Sequence, residues 1–382
     1  MSIRGEPFST DDEGFMRLAL RHAAKGFGAT TPNPLVGAVL VRNGEVLGAG
    51  WHKRAGQAHA EVNALNNAHR KGFDARGATL YVTLEPCSTV GRTPACTSAL
   101  ISAGVSRVVV GATDPNPKHR GAGFRILRKH GLEIVPGILR SECQRLNEAF
   151  NHWIVHRQPF VLLKSAMSLD GKIATNSGES QWITSEAARK YGMRLRLGAD
   201  AILCGINTAL RDDPALTLRR NSGMRIPAGK QVRRIVLDSQ ARLPLKAKLV
   251  SDNFAHQTIV VVSEAAPPER VRELEQRVRV MRISPAQKAG GLDLKILLQQ
   301  LGAENITSLL VEGGGETHAY FLEQKLANRI FFFYAPVIIS GRTAPKAVAG
   351  EHSFNLGKGF RIQAPEWEAI GPDLLFTGKL QY

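Results

Sequence analysis

Only four cysteines occur in 382 residues. A disulfide scaffold needs a dense cysteine pattern, so that class is excluded and a reducing cytoplasm is the expected compartment. There, paired cysteines more often bind metal or react than cross-link. Aromatic residues are sparse at 6%, and no long block of Lys or Arg appears; nucleic-acid binders usually combine a basic stripe with stacking rings. Long apolar runs are also missing. The longest, near Ile330–Ile339, contains Pro336, whereas a membrane-spanning helix needs about 20 apolar residues. Met1–Phe15 is mixed and acidic, so no signal peptide is expected. Internal repeats and low-complexity tracts are absent.

What is present reads as an ordinary globular chain, 43% hydrophobic and 22% charged. The length sets a prior of two or three domains at about 150 residues each. The net charge is +17, spread evenly: residues 1–157 carry 20 Lys and Arg against 12 Asp and Glu, and the remainder 30 against 21. Such a surface fits phosphorylated small molecules, or a solvated basic exterior, without fixing either.

The first 150 residues alternate helix-like and strand-like segments. Phe15–Lys25 has helical spacing, and Leu35–Val41 is a short apolar run. Asn43-Gly44 then marks a hairpin turn before Glu45–Trp51. A helix is predicted over His59–Arg70, a buried strand over Thr79–Leu84, a helix over Pro94–Ala103 and a strand over Val105–Gly111. Gly123–His130, Glu133–Val135 and Glu142–Ile154 read as helix, strand and one long helix. The pattern restarts after Arg157-Gln158-Pro159, which breaks the preceding helix. Strands over Phe160–Lys164, Ala201–Cys204, Arg234–Asp238, Thr258–Val262, Ser308–Glu312 and Arg329–Ile339 alternate with helices over Ser185–Leu197, Glu269–Val278, Leu292–Leu301 and His318–Leu326. Two α/β domains are expected, over residues 1–155 and 156–382.

His59-Ala60-Glu61 opens a helix, Pro86-Cys87 follows a buried strand, and Cys96 lies nine residues beyond Cys87. One imidazole and two thiolates suit zinc, and three ligands leave a fourth position for water, the catalytic arrangement. Zinc lowers the pKa of bound water to about 7. Glu61 is then placed to take the proton from water and pass it to a departing nitrogen. Thr93 is the expected N-cap, with Pro94 first in the helix and Cys96 in its first turn, where backbone N–H groups favour a thiolate. H-x-E followed by P-C and a second Cys is the zinc nucleobase-deaminase signature, except that eight residues rather than two separate the cysteines. Cys143 and Cys204 read as core packing.

Thr83-Leu84-Glu85-Pro86-Cys87-Ser88 and Gly91-Arg92-Thr93-Pro94-Ala95-Cys96, with Asn33-Pro34-Leu35-Val36-Gly37, resemble the pyrimidine deaminase half of the bifunctional riboflavin-biosynthesis deaminase/reductase family. Ala95 departs from a proline usual there. The resemblance implies a cytidine-deaminase-like layered α/β domain in which Asn33 and His52 contact substrate near the metal.

The second half carries Ser165–Lys172, Gly178–Thr184, Arg211–Arg219 and Val311-Glu312-Gly313-Gly314-Gly315-Glu316. Three glycines between strand and helix permit close backbone approach and leave helix N–H groups free for a phosphate, although G-x-G-x-x-G is not met. Together these segments resemble the reductase half of the same family, implying a dihydrofolate-reductase-like α/β domain that uses NADPH. By that resemblance Ala166, Trp182, Thr208, Asp212, Ser239, Gly314, Gly315, Glu316 and Thr317 face the cofactor. Ser180, Arg196, Leu216, Arg219 and Glu312 face the substrate. Arg196 and Arg219 suit a sugar phosphate, and Asp212 is the candidate proton donor.

The expectation is therefore a zinc- and NADPH-dependent enzyme that first deaminates 2,5-diamino-6-(ribosylamino)-4-pyrimidinone 5′-phosphate and then reduces its ribosyl group to ribityl. A homo-oligomer is expected, with no obligate nucleic-acid partner and no membrane. Two rival readings are a zinc deaminase of nucleic acid with a basic C-terminal platform, which would show steep salt dependence, and a zinc-stabilised nucleotide-binding scaffold without turnover.

Overall fold

A computed structural model describes residues 11–89, 94–117, 119–219, 223–285, 291–351 and 355–382. The chain divides into two compact units, Met1–Arg157 and Gln158–Tyr382.

In the first unit the order is α1 (Asp12–Ala24), β1 (Gly37–Arg42), β2 (Glu45–Trp51), α2 (Ala60–Arg70), β3 (Thr79–Leu84), α3 (Cys96–Ser102), β4 (Arg107–Ala112), α4 (Ala122–Lys129), β5 (Glu133–Pro136), α5 (Arg140–Leu146) and α6 (Glu148–His156). The five strands line up as β2-β1-β3-β4-β5. β1 runs antiparallel to both β2 and β3, while β3, β4 and β5 are parallel. Asn43 and Gly44 both take positive φ at the hairpin, as a type I′ turn requires. Asp11 caps α1 by accepting from Gly14 N–H. Alternation along the hairpin sends Gly37 to the α1 face and Gly50 to the α2 face. A Cβ on Gly50 would stand 2.5 Å from Ala64 N. The missing side chain lets α2 lie directly on β2.

The single helix expected over Glu142–Ile154 is two helices. Asn147 breaks it at φ −118°. Its side chain is buried and pairs with Leu35 like a strand neighbour: Oδ1 accepts Leu35 N–H at 2.7 Å, and Nδ2 donates to Leu35 O at 2.9 Å. Side-chain competition for backbone bonds outweighs the helical periodicity here. The expected helix start at Pro94 is also corrected. Helix α3 begins at Cys96, and Thr93 lies outside the described residues.

In the second unit the order is β6 (Phe160–Ser168), α7 (Glu186–Gly198), β7 (Ala201–Gly205), α8 (Ile206–Asp212), β8 (Arg233–Leu237), α9 (Lys248–Ser251), β9 (Thr258–Ser263), α10 (Pro268–Glu275), β10 (Arg279–Ile283), α11 (Leu294–Ala303), β11 (Ser308–Val311), α12 (Gly315–Glu323), β12 (Arg329–Ala335), β13 (Arg361–Ile370) and β14 (Asp373–Gln381). The sheet reads β10-β9-β8-β7-β11-β6-β12-β14-β13. From β10 to β12 every neighbour is parallel; β14 and β13 then close the edge as an antiparallel hairpin. The parallel strands are apolar on both faces, as Thr258–Val262 shows, because helices cover both sides. β11 inserts between β6 and β7, so the carboxyl ends of these three strands frame a crevice where the strand order reverses, the usual ligand position in open α/β sheets. Helix α12 starts at Gly315, three residues before the expected His318. Cys143 and Cys204 are buried in their cores.

Candidate functional sites

In the first unit the packing of α2 on the glycines of β2 fixes the start of that helix. His59 is its N-cap residue and Glu61 lies in its first turn, almost fully buried. β3 delivers Cys87, and Cys96 is the first residue of α3. The ligand atoms of His59, Cys87 and Cys96 all lie within 4.8 Å of one another. His59 Nδ1 is 3.3 Å from Cys96 Sγ and 3.5 Å from Cys87 Sγ. The Cys96 backbone N–H donates to Cys87 Sγ at 3.3 Å. A hydrogen bond from Cys96, followed by the His59 contact, holds the Cys87 thiol well below its ordinary range. The same bond, with burial, pushes the Cys96 thiol up. Two thiolates and an imidazole on one point fit zinc, and binding would release the Cys96 proton. Burial, assisted by the Cys87 sulfur, raises the Glu61 carboxyl to about 7.

His52 and Asn33 converge on the same place. His52 Nδ1 lies 3.2 Å from Ala58 O, which assigns the proton to Nδ1, and burial keeps the ring neutral. Nε2 is then an acceptor, and Asn33 Nδ2 donates to it at 3.0 Å. This fixes the Asn33 amide, with Oδ1 turned away from His52. The His52 ring meets His59 edge-on at 5.3 Å between centroids.

The sequence reading missed Glu85. Its buried carboxylate accepts from the backbone N–H groups of Asp114, Gly121 and Gly123 at 3.0–3.1 Å. A Cβ on Gly123 would meet Pro86 O at 2.3 Å. Glu85 thus clamps the loop before α4 against the Pro86-Cys87 turn. A charged residue ending an apolar strand was the available signal.

In the second unit a cleft is lined by residues that include Lys164, Ala166, Trp182, Arg196, Arg219 and Glu312. Five of these six were expected; Lys164 was not. It sits on β6 two residues before Ala166, on the same face, and its charge within an apolar strand was the signal. Burial lowers the Lys164 pKa against the opposing pull of Glu312. Trp182 is exposed, with the Arg189 guanidinium 4.7 Å from its ring centre.

Arg196 is already engaged by the protein itself. Its Nε and Nη2 donate to the two oxygens of Glu312 at 2.9 and 2.7 Å, and Nη1 donates to Thr217 O at 3.0 Å. Although burial alone would raise it, the Glu312 carboxyl is held at about 2 by Arg196, with Lys164 and Arg219 contributing. The Leu216 side chain is buried in the apolar cluster with Ile202 and Ala209, so a contact from it to substrate would come from its backbone. Asp212 is exposed at the end of α8 and is not among the cleft-lining residues. Partial desolvation raises its pKa, against the opposing pull of Arg211. Ser180 is partly exposed, two residues before Trp182.

Of the residues expected at the cofactor, Thr208, Gly314, Glu316 and Thr317 lie together at the strand ends. Thr317 Oγ1 stands where a Gly205 Cβ would be, 2.5 Å from it, and Thr317 Cβ is 2.6 Å from a Gly313 Cβ. Thr208 Oγ1 is 3.6 Å from a Gly314 Cβ, and Glu316 Oε2 accepts from Asn207 Nδ2 at 3.0 Å. Ser239 follows β8 and accepts from Ser263 N–H through its carbonyl. The cradle made by Gly313 and Gly314 would be filled by side chains, and the N-terminus of α12 opens onto it. Such a surface fits a pyrophosphate. Gly315 differs, because its Cα faces the Lys346 carbonyl, 2.2 Å from where a Cβ would lie.

Fold and sites together define a zinc deaminase joined to an α/β reductase. Residues 9–112 match the cytidine and deoxycytidylate deaminase zinc-binding region, and residues 159–376 match the RibD C-terminal domain. The chain is 42% identical to riboflavin biosynthesis protein RibD of Actinobacillus pleuropneumoniae, covering 95% of this chain and 94% of that one. It is 41% identical to RibD of Aquifex aeolicus, covering 96% and 98%. Form 1 of the Acinetobacter baumannii RibD structure superposes with a TM-score of 0.85 at 34% identity, covering 97% and 99%. The Thermotoga maritima diaminohydroxyphosphoribosylaminopyrimidine deaminase/5-amino-6-(5-phosphoribosylamino)uracil reductase gives 0.80 at 34% identity with the same coverage.

The chain belongs to the RibD family and is a bifunctional riboflavin-biosynthesis deaminase and reductase. Among the described residues no helix is long and apolar enough to cross a membrane. The reading as a nucleic-acid deaminase is not favoured.

Proposed function

We propose that residues 1–155 deaminate 2,5-diamino-6-(ribosylamino)-4-pyrimidinone 5′-phosphate and that residues 156–382 reduce the product with NADPH. The observation that carries the first half is the convergence of His59, Cys87 and Cys96 beside buried Glu61. Zinc held there supplies an acidified water, with a pKa of about 7. Glu61 would accept the proton of that water and deliver it to the departing amine. Asn33, oriented by neutral His52, presents Oδ1 as an acceptor to the substrate. Ammonia leaves as the amine carbon gains oxygen.

In the second site a bound NADPH would supply a hydride to the ribose C1′. The C1′–O4′ bond opens, and O4′ needs a proton. Lys164, whose ammonium burial makes more acidic, is the donor in the cleft, a role the sequence reading gave to exposed Asp212. The carboxylate of Glu312, kept ionised and oriented by Arg196, opposes positive charge developing at C1′. Arg219 takes the phosphate. Ala166 and Trp182 flank the nicotinamide, while Thr208, Ser239, Gly314, Glu316 and Thr317 follow the rest of the dinucleotide. The enzyme works in the cytoplasm as a homo-oligomer.

A chelator separates the halves. Removing zinc abolishes ammonia release, while NADPH oxidation with the deaminated substrate continues. Loss of both together contradicts the assignment of one metal site to the first half alone. Arg219→Ala raises the substrate KM of reduction; an unchanged KM rejects its phosphate role.

A further inference from the structure

β8 lies beside β7 in the sheet and at its carboxyl end runs into Asp238-Ser239-Gln240-Ala241-Arg242-Leu243. At such strand ends in dinucleotide-binding α/β folds, an acidic side chain takes the ribose 2′-hydroxyl, whereas an arginine accommodates a 2′-phosphate. Here the acid is withdrawn. Asp238 is completely buried, its Oδ2 accepts Leu243 N–H at 2.8 Å, and its carbonyl accepts Ala241 N–H at 3.0 Å. Ala241 adopts φ +54° to close this loop. The carboxylate is folded back onto its own loop and is not presented to a ribose.

The same loop raises Arg242 at the strand end. Its side chain is half exposed, with Nε 3.8 Å from Asp238 Oδ1, an oxygen that has no hydrogen-bond partner. Nη2 lies 3.5 Å from Asn207 Oδ1. Asn207 opens α8 and donates to Glu316 in the first turn of α12. Arg242 therefore lies on the same rim as the glycine turn, tethered along one edge. Its Nη1 and the second Nη2 hydrogen have no partner among the described residues. Two adjacent open donors on a planar guanidinium match two phosphate oxygens.

We propose that Arg242 binds the 2′-phosphate of NADPH and sets the preference for NADPH over NADH. The proposal rests on the reading that this crevice holds a nicotinamide dinucleotide. It makes Arg242 a specificity residue, outside the chemistry at C1′.

The test is calorimetric titration of the full chain with 2′-phospho-ADP-ribose and with ADP-ribose, which differ only in that phosphate. The wild type binds the phosphorylated ligand more tightly. Arg242→Ala lowers that preference about 10-fold or more and leaves ADP-ribose affinity unchanged; Arg242→Lys retains part of it. An unchanged preference in Arg242→Ala overturns the proposal, and so does equal weakening of both ligands, which would show a purely structural role for the loop. Binding of neither ligand by the wild type overturns the dinucleotide reading, and the Arg242 assignment with it.

Discussion

The two sites are built on opposite principles. The deaminase site takes its metal ligands from two helix starts and one strand end, all within His59–Cys96, and converges on one point. The cleft of the second unit gathers Lys164, Arg196, Arg219 and Glu312 from segments up to 148 residues apart, around the Arg196–Glu312 ion pair. A metal demands particular donors at short range, so its site is concentrated and chemically explicit. A cleft for an extended dinucleotide and a sugar phosphate spreads over several strand ends, and its charges first have to satisfy one another.

The sharpest way to break this comparison is Glu61→Gln. Deamination should fall about 100- to 10,000-fold, the range for a lost general acid–base group. Bound zinc and reduction of the deaminated substrate should not change. Rates from ammonia release and NADPH absorbance check both arms. A parallel loss in reduction would show that the sites are not chemically separate.

Arg196→Ala comes next. It strands a buried carboxylate, which costs about 3–5 kcal/mol when one partner of such a pair is removed. Denaturant unfolding should show that loss in the reductase unit. The pH dependence has a defined sign. The folded pKa of Glu312 is depressed from 4.5 to about 2, so the pair's contribution is fully present above the unfolded value. It is lost as pH falls from about 4.5 towards 2. Urea midpoints across that window should fall more steeply for the wild type than for Arg196→Ala; identical slopes would remove the pair from the acid response.

The smallest effect is expected from Gly50→Ala. A Cβ there meets the α2 backbone at 2.5 Å, and overpacking typically costs about 1–3 kcal/mol. Because α2 carries His59 and Glu61, zinc affinity measured by chelator competition should weaken, whereas the reductase KM should hold. Unchanged zinc affinity would mean that α2 is placed by other contacts.

The same contrast explains what the sequence made legible. His59, Glu61, Cys87 and Cys96 stood out because donor type and spacing are themselves the signal, and apolar strands such as Thr79–Leu84 matched their predicted bounds. Arg196 and Leu216 could be assigned only by resemblance. Nothing in the sequence shows that the Arg196 fork closes on Glu312, 116 residues away, or that Leu216 turns into the core at φ +47°. Asn147 was lost inside a helical pattern because its partner, Leu35, is 112 residues away. β13 was not singled out because it lies on an exposed edge and has no apolar face to announce it.

The central claim is that one chain carries two independent, consecutive chemistries. The most direct test is the mass of the product formed from 2,5-diamino-6-(ribosylamino)-4-pyrimidinone 5′-phosphate by the zinc-loaded chain, with and without NADPH. Without NADPH the product should be the deaminated ribosyl compound, with one ammonia released per molecule. With NADPH it should be the same compound heavier by two hydrogens. A product that kept its 2-amino group, or one whose mass did not respond to NADPH, would contradict the account.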